Sequence, residues 1–335
     1  MNTVKQCIMV LSLAVLHGAA GWAAASGHGP SSKNETDAFA GWRLEAARTL
    51  AARSDYASLA TAAALTFIGV PSRSKAETAK AAAAAVELAV KAAEFAPNDP
   101  TISWLRLHLC ANAATCDIRD AATTMRWVDA DNATAWLPTL AAAQRDRDAI
   151  QVDRILTDMA QGTRFDIYAN RATVMVFDAL KRVRLALPAN YAASDLARLS
   201  EAVGVAAAAV LPSFSPLINA CREAAAPERR DACVKLSKTM QRGDAVMTQL
   251  VGFAIERRLT SADAKEQHSI AERRRLLEWR VSSANASDTP LLPWLRNARA
   301  RTRLARMRAL PREEDVCIAL LREHGLPLEP PEEHR

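Results

Sequence analysis

The stretch DADNATAWL, residues 129–137, decides the fold class. An Asp-Asn turn runs straight into helix-forming residues and Trp136. APNDPTISWL, residues 96–105, repeats the arrangement with an Asn-Asp turn, then Pro100 and Trp104. Asn and Asp side chains accept hydrogen bonds from the free N–H groups of a first helical turn, and Pro loses nothing there. The chain holds only 7 Trp, and these two stand 32 residues apart after matching turns. That spacing predicts pairs of helices stacked in series.

Outward from these junctions the same punctuation recurs. Thr36-Asp37, Ser54-Asp55, Ser74 with Glu77 three residues on, and Asp117 all read as helix starts. Breaks fall at Gly162–Asp166, Pro188–Ser194, Pro212–Pro216, Ala226-Pro227, Gly243-Asp244, Thr260–Asp263, Ser287–Pro290 and Pro311. The segments between them are rich in Ala, Leu, Arg and Glu, which favour helix, and none alternates apolar with polar as a strand does. The expected fold is all-α, about fourteen helices by the usual segment length, forming stacked antiparallel hairpins in an α-α superhelix with no β-sheet.

AVELAVKAAEFAPNDPTISWL (85–105) and MRWVDADNATAWLPTLAAA (125–143) resemble the junctions of tetratricopeptide repeats. There, one helix ends in an Asn or Asp turn and an aromatic residue early in the next helix packs across the pair. The family repeat is about 34 residues. The resemblance covers about residues 75–165. The glycine and tyrosine that follow the aromatic in the family are missing here, and Pro138 stands in the first turn of its helix. The resemblance implies that Trp104 and Trp136 are core anchors, because one helix pair cannot bury its apolar face alone.

The N-terminus reads as a targeting segment. Lys5 precedes the apolar run CIMVLSLAVL (7–16), and small residues, HGAAGWAAASG (17–27), follow. This is the order of a secretory signal, with cleavage expected near Ala25. The run is too short to span a bilayer, and no later segment reaches 18 apolar residues without a charge. Residues 1–25 are thus expected to be a signal peptide and 26–35 a flexible leader. Helical repeats should fill 36–187, further hairpins 188–325, and a Pro/Glu-rich tail 326–335. Ala- and Arg-rich, Lys-poor usage suggests a GC-rich bacterium, so export would lead to the periplasm or beyond. The net charge of +6 is small. It does not argue for nucleic acid, and an anionic envelope surface is the more available charged partner.

Six Cys are present. Cys110 and Cys116 flank a turn in CANAATC, and Cys221 and Cys233 flank another in CREAAAPERRDAC. Export permits disulfides, and each pair would pin a hairpin tip. Free thiols or a metal are the rival readings. His108 and Cys110, however, are two residues apart on a helix and do not share a face, and no zinc set is completed. Cys317 in EEDVCIALL is expected to be a buried, inert thiol.

The chain lacks GxGxxG, GxxxxGK[ST], GxSxG, HExxH and CxxCH, so no cofactor, metal or catalytic residue is expected. His108, His268, His324 and His334 have no partner in sequence. REEDV, 312–316, reads as a charged helix start, where acids favour the positive end of the dipole. The strongest charge feature is WLRNARARTRLARMRALPR, 294–312. On a helix, Arg296, Arg299, Arg303 and Arg306 share an arc of about 80°. They form a candidate anion-facing surface, with Trp294, Ala298 and Ala305 expected to pack inward. The triplets at Asn34, Asn132 and Asn285 match glycosylation sites, but Asn132 is better explained as a helix cap.

Together these features suggest an exported helical-repeat protein that binds a protein or peptide in a groove of its stack, without catalysis. The alternatives are an enzyme on envelope polymers, with carboxylates facing each other in a cleft, or a peripheral envelope protein held by the Arg-rich helix 294–310. A shallow groove lined by Arg and apolar side chains would favour the binder over the enzyme.

Overall fold

The computed structural model describes residues 33–69, 74–183, 185, 195–222, 226–260, 263–287 and 293–331. The expected signal peptide, residues 26–32 of the leader, the Pro188–Ser194 break and the side chain of Trp294 lie outside the described residues. Within them the chain forms fifteen α-helices and one 3-10 helix, with no strand and one isolated bridge between Asn132 and Arg164. The helices are α1 (Lys33–Ala51), α2 (Tyr56–Ile68), α3 (Lys75–Phe95), α4 (Pro100–Ala111) and α5 (Ile118–Val128). The 3-10 helix Ala133–Trp136 leads into α6 (Leu137–Arg145), α7 (Ala149–Met159), α8 (Ala169–Arg182), α9 (Asp195–Val210) and α10 (Ser215–Arg222). Then come α11 (Pro227–Met240), α12 (Val246–Leu259), α13 (Ala264–Ser287), α14 (Pro293–Ala309) and α15 (Glu313–Glu323).

Local signals set most starts. The Asp55, Asp99, Asp117 and Asp148 carboxylates accept from first-turn N–H groups, and Ser74 with Glu77 forms a capping box. Asn132 caps the 3-10 helix by accepting from Thr134 N. The first helix departs from expectation. It begins at Lys33, inside the stretch expected to be flexible, rather than after Thr36-Asp37.

Helices adjacent in sequence pair through α1 to α5. Then α8 and α9 return across α2, and α14 packs on both α8 and α9. Small side chains allow this close layering: Ala60, Ala62, Ala63, Ala85, Ala89 and Ala92 are fully buried. The main core takes in α1–α5, α8 and α9, together with Ala300, Leu304 and Met307 of α14 and Val316 and Leu320 of α15. It therefore crosses the expected boundary at residues 187/188. A second core gathers α6, α7, α10, α11 and α12 around Phe165. Among the described residues no single helix is long and apolar enough to cross a membrane.

The two Trp residues differ. Trp104 is 0% exposed, and its indole N–H donates to Val210 O at 2.9 Å. Trp136 is only half-buried at the end of the 3-10 helix, with the Arg126 guanidinium 4.3 Å above its ring. The expectation of a fully buried core anchor thus holds for Trp104 and is corrected for Trp136. A 3-10 turn leaves Ala133, Thr134 and Ala135 buried in front of Trp136 and its ring at the rim.

Candidate functional site

The helix α12 lays Gln249, Phe253 and Glu256 along one face, four and three residues apart. The facing stripe of α13 carries Glu266, Ser269, Arg273, Leu276, Leu277 and Arg280. Lys238 from the end of α11, Gln241 and Arg242 from the turn after it, and Glu314 from α15 complete an open groove of about 510 Å³. It is a trough with a partly apolar floor of Phe253 and Leu277 and walls of Arg, Lys and Glu.

Glu256 is 0% exposed. A buried carboxylate is costly without donors. Its Oε2 accepts from Gln241 Nε2 at 2.6 Å and from Arg273 Nη2 at 3.1 Å, while Oε1 is enclosed with no partner. Arg273 also donates to Gln241 Oε1 at 2.6 Å, approaches Glu266 at 3.7 Å and stands 5.5 Å over the Phe253 ring. At the other end Arg280 and Arg312 hold the two oxygens of Glu314, at 2.7 Å and 3.0 Å. Each carboxylate in the groove therefore already carries an arginine. Glu256 and Glu266 share one guanidinium, so they do not form the bare facing pair that acid–base chemistry on a polymer requires.

A buried polar junction sets the starts of α12 and α15. Residues 129–132, 163–168 and 243–246 meet there with the start of α15. Tyr168 adopts the left-handed conformation (φ 58°). Its hydroxyl donates to Asp129 and accepts from Asn132 Nδ2 at 3.0 Å. Asn132 Oδ1 accepts from Asp166 N at 3.0 Å, and Arg164 pairs with Asp129 and Asp166. Asp244 accepts from Ile167 N at 2.8 Å through its carboxylate, and from Glu313 N at 2.8 Å through its carbonyl. Glu313 in turn accepts from Val246 N at 2.7 Å. That carboxylate caps α12, whose own N-cap, Ala245, has no polar side chain to do so. Burial, aided by the nearby Asp166 and Glu313 charges, pushes Asp244 up to about 7. Burial also raises Asp166, against the pull of Arg164, and Glu313, against that of Val246 N–H and Arg303. Burial and the Asp129 carboxylate raise Tyr168.

The sequence-predicted residues fall elsewhere. The cysteines form two disulfides, Cys110–Cys116 with Cα atoms 5.2 Å apart and Cys221–Cys233 with Cα atoms 5.6 Å apart; Cys317 is a buried free thiol. His108 is a core imidazole, brought down to about 4 by burial and packed near Trp104 and Phe67. Among the described residues no group of three or more His, Cys, Asp or Glu could hold a metal.

The Arg arc of α14 needs correction. Ala300, Leu304 and Met307 form its buried face, while Ala305 is exposed. Arg303 donates to Asn285 Oδ1 at 2.9 Å, and Arg306 pairs with Glu323 at 3.1 Å. Arg296 and Arg299 lie half-buried on the same flank. The arc borders the packed face instead of opposing it, and two of its four arginines are engaged by Asn285 and Glu323. Of the REEDV segment, Glu313 serves the junction and Glu314 the groove, although the sequence suggested only a charged helix start. Glu256 carried a missed signal, since a charged residue occupies a core-facing step of α12 there; Arg273, exposed on the polar helix α13, carried none. Compared with known protein families, curated proteins and solved structures, the chain matches none.

Proposed function

We propose that the chain is an exported helical-repeat scaffold of a bacterial envelope, and that it binds a partner polypeptide in the groove between α11, α12, α13 and α15 without chemistry of its own. The carrying observation is the groove itself: an open trough with an apolar floor and cationic walls, its carboxylates neutralised by arginines. Such troughs between stacked helices suit extended or helical peptides. The two disulfides are consistent with an oxidising compartment outside the cytoplasm.

Site-specific photo-cross-linking in producing cells tests this. A photoreactive residue at Ser269 or Gln241 should capture a discrete polypeptide, while the same residue at Ile150, 84% exposed and outside the groove, should not. Equal capture from all three positions, or none, would refute the reading. A second reading, hydrolysis of envelope polymers, draws on Glu256 alone. Release of soluble fragments from purified cell wall that is lost in Glu256→Gln would establish it.

A further inference from the structure

Lys238 and Arg242 stand about one helical turn apart at the C-terminal end of α11. Both are exposed and both line the groove. Lys235, also exposed, continues the stripe one turn earlier. The other cations near the groove are committed: Arg273 to Glu256 and Glu266, Arg280 and Arg312 to Glu314. On α14, Arg301, Arg306 and Arg308 are likewise held by Asp195, Glu323 and Asp178. Among the described residues no carboxylate lies within ion-pair distance of Lys238 or Arg242. Two uncompensated positive charges therefore sit on the groove rim, with half-buried Leu276 and the edges of the buried Phe253 and Leu277 as the apolar part of the lining.

We infer that the groove takes a polypeptide segment rich in Asp or Glu with interspersed apolar side chains, its acids on Lys238 and Arg242 and its apolar groups on Leu276 and the edges of Phe253 and Leu277. This rests on the groove-binding reading above and narrows the class of partner. Charge complementarity at a rim steers encounter and selects partners, and the concave apolar floor supplies contact that acids alone would lack. A lipid surface is the other source of anions. Attachment to one calls for large apolar side chains projecting beside the cations. Among the described residues the exposed large apolar side chains, Tyr56, Phe95, Trp127, Ile150, Val203 and Leu326, are all absent from the groove lining.

The test uses the full mature chain and three probes: a fluorescein-labelled peptide of mixed Glu and Leu, its Lys and Leu counterpart, and phosphatidylglycerol vesicles. Anisotropy should show saturable binding of the acidic peptide that weakens as salt shortens the screening length from about 30 Å to about 3 Å. Lys238→Glu/Arg242→Glu should bind it at least about tenfold more weakly, about 1.4 kcal/mol. Arg119→Glu/Arg171→Glu, the same charge change at exposed sites outside the groove, should stay within about twofold. Lys238→Gln/Arg242→Gln should fall between wild type and the double reversal, and it reports on the site should the double reversal melt early. Equal binding by wild type and the groove variants would overturn the inference, as would equal binding of the basic peptide. Vesicle binding that depends on Lys238 and Arg242, without acidic-peptide binding, would assign the cations to lipid and overturn it too. Groove cross-links that persist while the acidic peptide fails would reject only the partner class, leaving the groove reading intact.

Discussion

Replacing Asp244 by Asn should flatten the pH dependence of stability in a defined window. In the folded chain Asp244 is 5% exposed, and burial moves its carboxyl from 3.8 to about 7. A carboxyl raised on folding holds a proton in the folded state that the unfolded chain has already released. The Asp244 contribution to stability is therefore fully present below pH 3.8, falls as pH climbs toward 7, and is gone above. At about 1.4 kcal/mol per pH step the whole interval is worth about 4 kcal/mol. The side-chain amide in Asp244→Asn keeps an oxygen for Ile167 N and carries no charge, so the variant loses this share of the slope. Asp166 and Glu313, also raised, leave a residual dependence in both proteins, and only the difference between wild type and variant reports Asp244. Urea unfolding followed by circular dichroism near pH 5 and near pH 8 gives that difference, provided the denaturant slope is unchanged. The variant should gain on wild type by about 2–3 kcal/mol between the two conditions, roughly three-fifths of the full interval. A wild-type-minus-variant gap that stays constant with pH within about 0.5 kcal/mol would refute the assigned burial cost.

Trp104→Ala should cost about 3–5 kcal/mol as a buried aromatic truncation, whereas half-buried Trp136→Ala should cost no more than about 2 kcal/mol; paired thermal melts decide. Gly252→Ala would place a Cβ 2.7 Å from Ser237 O and 2.9 Å from Met240 Cβ at the α11–α12 crossing. It should destabilise by about 1–3 kcal/mol despite the better helix propensity of Ala, again read by melting. Removing the Cys221–Cys233 bridge, a separation of 12 residues, should lower stability by about 2–3 kcal/mol. A reductant should reproduce the loss in wild type and leave Cys221→Ala/Cys233→Ala unmoved except through the other bridge.

Much of the helical layout was legible because caps are local. Asp99, Asp117 and Ser74 with Glu77 bond to N–H groups two or three residues away, so their meaning survives without coordinates. The cysteine pairs were legible for the same reason: each closes its own turn. The facing of α14 was not. Periodicity placed the four arginines on one arc correctly but did not say which arc the rest of the protein covers. The larger apolar faces of Leu304 and Met307 outweighed those of Ala298 and Ala305. The groove was hidden more deeply. It is assembled from α11, α12, α13 and α15, and a Glu at a core-facing step reads as an ordinary surface charge until Arg273 is seen to reach it. Tyr168 carried no local sign of its left-handed backbone, and its hydroxyl is held by Asp129 and Asn132 from far along the chain.

The junction and the groove are parts of one construction. Glu313 caps α12 through Val246 N and anchors the start of α15 on the Asp244 carbonyl. Those two helices carry the lining residues Phe253, Glu256 and Glu314. Gln249, another lining residue, donates to Gly243 O in the same loop at 3.0 Å. The starts of α12 and α15 are thus positioned by one set of buried hydrogen bonds, beside the Asp244 carboxylate that holds Ile167 N. A partner that binds only the assembled groove must stabilise that junction by mass action. Reciprocally, whatever part of the junction's stability is coupled to the groove is felt equally in the partner's affinity. Asp244 touches no groove ligand, so a pH-dependent affinity abolished by Asp244→Asn would report this coupling rather than a lost contact.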